Sequence, residues 1–220
     1  MTNFYSLNKI LQGTIALVMG AILLAIAYYW QFVIGNPIVK ILFIFIFVPV
    51  YSFLLTPLLT LLEYYQYKSP MLLVLVDSKK NYAIHSGTSF DYLVKMSNIK
   101  SGPTFQSKIL EYHLEGILKM IEEVENKTIP DSTIIKGSSY FFSESTARKL
   151  GFKVVKTKNS EKLGIYLDYL EILWMYSVSK GKLSFPKLNN FKNVETTGKE
   201  LMEKKSFIQN LHLRLRKRNG

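Results

Sequence analysis

The sequence predicts a membrane α-helical hairpin of two transmembrane helices followed by a small α/β domain. Three observations predict it: two long uncharged apolar stretches near the N-terminus, a charge inventory that changes abruptly after them, and short apolar runs alternating with helical periodicity beyond residue 67. Averaged over 220 residues the chain is only mildly hydrophobic, with a mean hydropathy of +0.12. That value is what an apolar anchor averaged with a polar domain produces.

No charged residue occurs from Ile10 to Val39, and none from Ile41 to Leu62. About 20 apolar residues cross the roughly 30 Å of bilayer hydrocarbon. The first span is expected over about residues 10–34 and the second over about 39–62, within an anchor covering residues 1–67. Tyr28, Tyr29 and Trp30 at the far end of the first span suit a membrane–water interface, as do Tyr64, Tyr65 and Tyr67 at the exit of the second. Gly35-Asn36-Pro37 is too short for anything but a turn. Pro49 and Pro57 are expected to kink the second span. Ala25-Ile26-Ala27 has the small-residue spacing of a signal-peptidase site, although the apolar stretch is long for a cleaved leader.

Charge gives the orientation. The turn between the spans offers only Lys40, whereas Lys68, Lys79 and Lys80 follow the second span. The positive-inside rule then places both termini in the cytoplasm of a multi-pass cell-membrane protein. Of the net +12, only +1 belongs to the first 63 residues, so the remainder carries +11. Such a surplus favours polyanionic partners, here anionic lipids or a small anionic ligand, beside the lipid bilayer itself. A protein partner or homo-oligomer is also compatible. The basic end Arg214–Arg218 is a weak nucleic-acid footprint, because solvated basic termini are common, so nucleic acid is not expected.

Residues 68–200 read as the α/β domain, with about four strands and four helices. Met71–Val76 and Tyr82–His85 are strand-like and separated by a turn at Asp77–Asn81. Thr88-Ser89-Phe90-Asp91 has capping-box form and opens a helix to about Asn98. A long amphipathic helix follows from Thr104 to about Asn126, with an apolar stripe through Ile109, Leu114, Ile117, Ile121 and Val124. Glu122, Glu123 and Glu125 crowd its C-terminal end, where the helix dipole disfavours them. Thr133–Phe142 is a strand, Ser143 begins a short helix, and Phe152–Lys156 is another strand. A helix from about Glu161 to Ser179 carries only Asp168 and Glu171 as later acids. It is expected either in the core or on the membrane surface, with Lys162, Lys180, Lys182 and Lys187 near anionic headgroups. Residues 185–190 look loop-like. Residues 201–220 form a basic C-terminal helix whose end is expected to fray.

The absence of cysteine excludes disulfides and thiolate metal sites. No P-loop or Gly-x-Gly-x-x-Gly is present, no His-Glu-x-x-His occurs, and no metal site is expected; the cofactor question stays open. Gly87-Thr88-Ser89 and Gly137-Ser138-Ser139 each follow an apolar strand. Their N–H groups and hydroxyls are candidate ligands for an anion if both loops meet at one sheet edge. His85 and Asp91 are the candidate catalytic pair. Their His-x5-Asp spacing is similar to, and one residue longer than, the His-x4-Asp motif of glycerolipid acyltransferases, a resemblance that implies a base oriented by an acid. Thr146-Ala-Arg-Lys-Leu-Gly-Phe152 resembles the end of acetyltransferase domains, but no basic-glycine pyrophosphate loop lies upstream. The leading expectation is a membrane-anchored, non-enzymatic protein whose cytoplasmic domain binds a partner, an anionic ligand or the lipid surface. The alternative is a small membrane-bound transferase of acyl or acetyl type using His85 and Asp91.

Overall fold

Asn36 caps the second long helix through its side chain, accepting from the N–H groups of Ile38 and Val39, and Pro37 occupies the first helical position. A computed structural model describes residues 4–76, 81–139, 144–156, 159–187 and 191–219, without the side chains of residues 139 and 159–161. The hairpin is α1 (Lys9–Tyr28), continued by a π-helical turn at Tyr29–Val33, and α2 (Pro37–Leu61). Both are long and apolar enough to cross a membrane. Ala16 and Leu23 are buried, whereas Leu17, Leu24, Ile41 and Leu42 remain exposed. At the far end Trp30 donates its indole N–H to the Lys40 carbonyl at 3.1 Å and stacks on Phe47. Lys40 in turn donates to the Gln31 carbonyl at 2.6 Å, which satisfies the lone cation of the turn. Both Pro49 and Pro57 lie inside α2.

The domain is built on a mixed sheet of β1 (Gln66–Ser69), β2 (Leu72–Val76), β3 (Tyr82–Ser86), β4 (Ile134–Ser139), β5 (Lys153–Val155) and β6 (Lys192–Thr197), ordered β1-β2-β3-β4-β6-β5. β1 to β3 form an antiparallel meander, β3 and β4 are parallel, and β6 lies antiparallel between β4 and β5. The crossover from β3 to β4 runs through α3 (Ser89–Lys95) and α4 (Pro103–Glu125). The remaining helices are α5 (Glu144–Lys149), α6 (Asn159–Leu167), α7 (Tyr169–Lys180), α8 (Gly198–Glu203) and α9 (Lys205–Asn219).

Strand alternation sorts the sheet into two faces. Leu72, Val74 and Ile135 point to one face and pack against Leu114, Ile117, Met120 and Ile121 of α4, with Leu201, Ile208 and Leu215 from α8 and α9. Gly116 lets α4 approach closely, since a Cβ there would lie 2.6 Å from Leu72 Cδ2. Gly137 does the same between strands, where a Cβ would lie 2.7 Å from Ile84 Cγ1. A second core joins α3, α4 and α7 through Tyr92, Met96, Phe105, Ile109 and Met175.

Several expectations need correction. β1 and β6 were not foreseen: β1 is short, and in β6 only Val194 and Thr196 are buried, so neither has an apolar run. The helix expected over 161–179 is two, α6 and α7, meeting at Asp168. The basic terminus does not fray. α9 runs to Asn219, whose side chain donates to Glu111 at 2.7 Å and accepts from Ser107 at 2.7 Å. The acidic end of α4 is neutralised by distant lysines, Lys68 on Glu123 at 2.6 Å and Lys205 on Glu125 at 2.7 Å. Most of the turn expected at 77–81 and the end of the strand expected to reach Phe142 lie outside the described residues.

Candidate functional site

The face of the sheet opposite α4 carries Leu73, Leu75, His85, Lys136 and Ser138, and it is only partly covered. A cavity of about 390 Å³ lies between this face, α6–α7 and the base of the hairpin. Its sheet side is Leu73, Leu75, His85 and Ser138, and its helix side is Ile165, Asp168, Glu171 and Met175. Ser52 of α2 and Tyr65, just beyond it, complete the wall, so the second long apolar helix contributes directly to the cavity. A second cavity of about 480 Å³ shares His85, Ser138 and Ile165 and extends along the sheet to Lys136, Lys156 and Glu195.

Of the expected ligand residues, Gly87, Thr88 and Ser138 line the first cavity together with His85, and Gly137 lines the second. Parallel pairing of Ile84 with Gly137 brings the two loops to one edge. The backbone donors of the first loop, however, are already used. Gly87 N–H donates to the Met71 carbonyl at 2.9 Å, Thr88 N–H to Asp91 Oδ2 at 2.8 Å, and Ser89 N–H to Glu171 Oε1 at 3.1 Å. The seat expected to receive an external anion holds two carboxylates of the chain itself. Ser89 is buried, and the Ser139 side chain lies outside the described residues.

The electrostatics of the first cavity follow. Among the described residues its wall contains Asp168 and Glu171 and no lysine or arginine, on a chain of net +12. Ser52 Oγ donates to Glu171 at 3.4 Å. Burial, and then the charge of Glu171, push Asp168 up to about 6. Burial, helped by Glu171, pushes the Tyr65 hydroxyl up to about 12, so it remains a hydrogen-bond donor. His85 opens onto the cavity, where desolvation by the surrounding protein lowers its pKa from the ordinary value. Ser86 borders the cavity through its backbone; strand pairing with Leu72 turns its side chain to the α4 face, where the buried hydroxyl has no partner among the described residues. A strongly shifted carboxyl beside a second one, in a cleft, is the kind of arrangement found at functional sites.

Asp91 belongs elsewhere. Its carboxylate is fully buried and accepts from the hydroxyls of Tyr5 and Tyr67, from the Thr88 N–H, and from Lys95 Nζ at 2.9 Å. With Thr88 it forms the expected capping box of α3. Lys95 is held between the rings of Tyr5 and Tyr67, 3.8 and 3.5 Å from their centroids. Burial and the Asp91 charge push both phenols above their ordinary range, so both stay protonated as donors. This cluster ties the N-terminal turn Phe4–Ser6, β1 and α3 together, and Thr56 of α2 joins it through Thr88 at 3.2 Å. The acid of the expected catalytic pair is therefore engaged in a structural latch, with no hydrogen bond to His85 among the described residues. Tyr67 sits in that latch, while Tyr64, Tyr28 and Tyr29 are exposed, and Tyr65 and Trp30 are partly covered.

Sequence reading missed Asp168, Glu171 and Ser52 as wall residues. A signal was present: two acids three residues apart on an otherwise apolar helix share one face. Among the described residues no three His, Asp or Glu side chains cluster as metal ligands. His113 is buried in α4 with Nδ1 2.7 Å from the Ile109 carbonyl. No protein-family model, curated protein or solved structure matches the chain.

Proposed function

We propose that this is a membrane-anchored binding protein whose ligand is a small amine-bearing molecule held in the cavity between the sheet, α6–α7 and the base of α2. The observation that carries the reading is the wall itself: two carboxylates with no cation among the described residues, in a cavity that Ser52 and Tyr65 help to close. An ammonium group would pair with Asp168 and Glu171, and the hydroxyl of Ser138 would orient its polar neighbours. Lys136 and Lys156 at the far end of the trough leave room for an anionic substituent. Because α2 forms part of the wall, occupancy would be felt by the anchor, which suits a sensor or effector. The hairpin crosses the membrane with both termini in the cytoplasm, supported by the two apolar helices and by the lysines that follow them.

The test is a thermal-shift titration of the full chain in detergent with hexylamine, phosphoethanolamine and ATP. The two amines are expected to raise Tm saturably, and Glu171→Gln to abolish the shift. Affinity should fall as the pH drops through about 6, because Asp168 then takes up a proton. Stabilisation by ATP alone would overturn the reading. A second reading, a transferase with His85 as base, is supported by the imidazole's position at both cavities. It needs an acid other than Asp91, and turnover abolished by His85→Ala at unchanged Tm would establish it.

A further inference from the structure

The outer face of α6–α7 is apolar and uncovered. Leu163 is 61% exposed, Tyr166 54%, Leu170 42% and Trp174 37%, and their spacing of three to four residues puts them on one stripe. The helical ladder runs through the junction, since Asp168 N–H bonds to Gly164 and Ile172 N–H to Asp168. The opposite face of the same pair, with Glu171, Ile172 and Met175, is buried against the sheet and hairpin. Lys162, Lys180 and Lys182 flank the stripe, all exposed and none in an ion pair among the described residues.

The hairpin fixes where this stripe lies. A bilayer crossing that begins at Pro37 uses about 20 residues and ends near Thr56. The domain already touches α2 at that level: Ser52 meets Glu171 at 3.4 Å, Phe53 packs on Phe90, and Thr56 meets Thr88. α7 therefore runs beside α2 within about one turn of the hydrocarbon boundary. Polar groups at this depth are turned inward and hydrogen-bonded, as with Glu171 and the Asp91–Lys95 pair.

We infer that the outer face of α6–α7 is a membrane-surface element: Leu163, Tyr166, Leu170 and Trp174 lie in the headgroup–acyl boundary of the leaflet next to the domain, with the flanking lysines on anionic headgroups. The inference rests on the hairpin spanning the membrane. The floor of the ligand cavity is then the same helix pair that lies on the lipid, so the cavity forms at the bilayer surface. A second copy of the chain covering the stripe is the competing occupant.

The two tryptophans test both statements separately, because Trp30 reports the hairpin and Trp174 the stripe. The full chain is reconstituted into phosphatidylcholine–phosphatidylglycerol vesicles whose acyl chains carry bromine near the headgroup or near the bilayer centre. With Trp30→Phe, the emission of Trp174 is expected to fall roughly twofold with the shallow bromines and much less with the deep ones. With Trp174→Phe, Trp30 is expected to be quenched as well. Adding Leu163→Glu and Leu170→Glu to Trp30→Phe should restore the Trp174 emission. If Trp30 is quenched and Trp174 is not, the surface element is wrong and the anchor stands; protection of Trp174 that disappears on dilution would assign the stripe to a second copy. If neither is quenched, the anchor fails and the inference with it.

Discussion

Asp91 and Glu171 are both buried where the hairpin meets the domain, yet their partners differ in kind. Asp91 has two phenols, a backbone N–H and the Lys95 ammonium, so its charge is neutralised and every direction of approach is filled. Glu171 has a serine hydroxyl and one backbone N–H, a second carboxyl as neighbour, and a cavity in front of it. A closed, neutralised cluster has nothing left to offer a ligand and serves to hold the hairpin on the domain. A carboxyl pair beside open space, with no cation among the described residues of the wall, holds Asp168 at a disadvantage that a bound cation would relieve.

The sharpest way to break the comparison is at Asp91. Asp91→Ala leaves Lys95 buried without its counter-ion and is expected to lower stability by about 3–5 kcal/mol, read from thermal unfolding in detergent. Protease cleavage near residues 62–66 should appear at the same time, because β1 loses its tie to α3. Combining Asp91→Asn with Lys95→Met should be milder than either alone, since no uncompensated charge remains.

The opposite sign is expected at Asp168. Its folded pKa, about 6, lies above the ordinary value of 3.8, so the ionised form is disfavoured by folding. Asp168→Asn should therefore stabilise the chain above pH 6, by about 1 kcal/mol once partial exposure is allowed for. The gain should shrink as the pH falls from about 6 and vanish below the ordinary value of 3.8, where the carboxyl is protonated in both states. Stabilities that stay parallel across that range would show that Asp168 is not under strain. The smallest effect is expected at Ser86. Its buried hydroxyl has no partner among the described residues, so Ser86→Ala should change Tm negligibly, within about 0.5 kcal/mol. Hexylamine binding by the same variant should be unchanged, because strand pairing turns Ser86 with Leu72 to the α4 face.

The sequence exposes some of this and hides the rest for identifiable reasons. Thr88 and Asp91 are three residues apart, so their capping box is local and was legible; that Asp91 also receives Tyr5 and Tyr67 is long-range and was not. The His85–Asp91 spacing suggested a catalytic pair, but β3 turns His85 to the open face while the α3 capping box holds Asp91 against Lys95 and the N-terminal turn. The glycines at 87 and 137 drew attention as anion loops. Their immediate reason is packing, as a Cβ would lie 2.7 Å from Met71 Cε at one and 2.7 Å from Ile84 Cγ1 at the other.

By itself the sequence determined the apolar hairpin, its capped turn, the amphipathic α4 and the concentration of positive charge beyond residue 63. These depend on composition and on neighbours within a turn or two, which a single chain displays directly. Tertiary structure alone decided which strands pair, that β6 enters the sheet between β4 and β5, and which neighbours each carboxylate receives. The reason is physical: a buried charge is defined by what surrounds it, and here the deciding partners of Asp91 and Glu171 come from as many as 86 and 119 residues away.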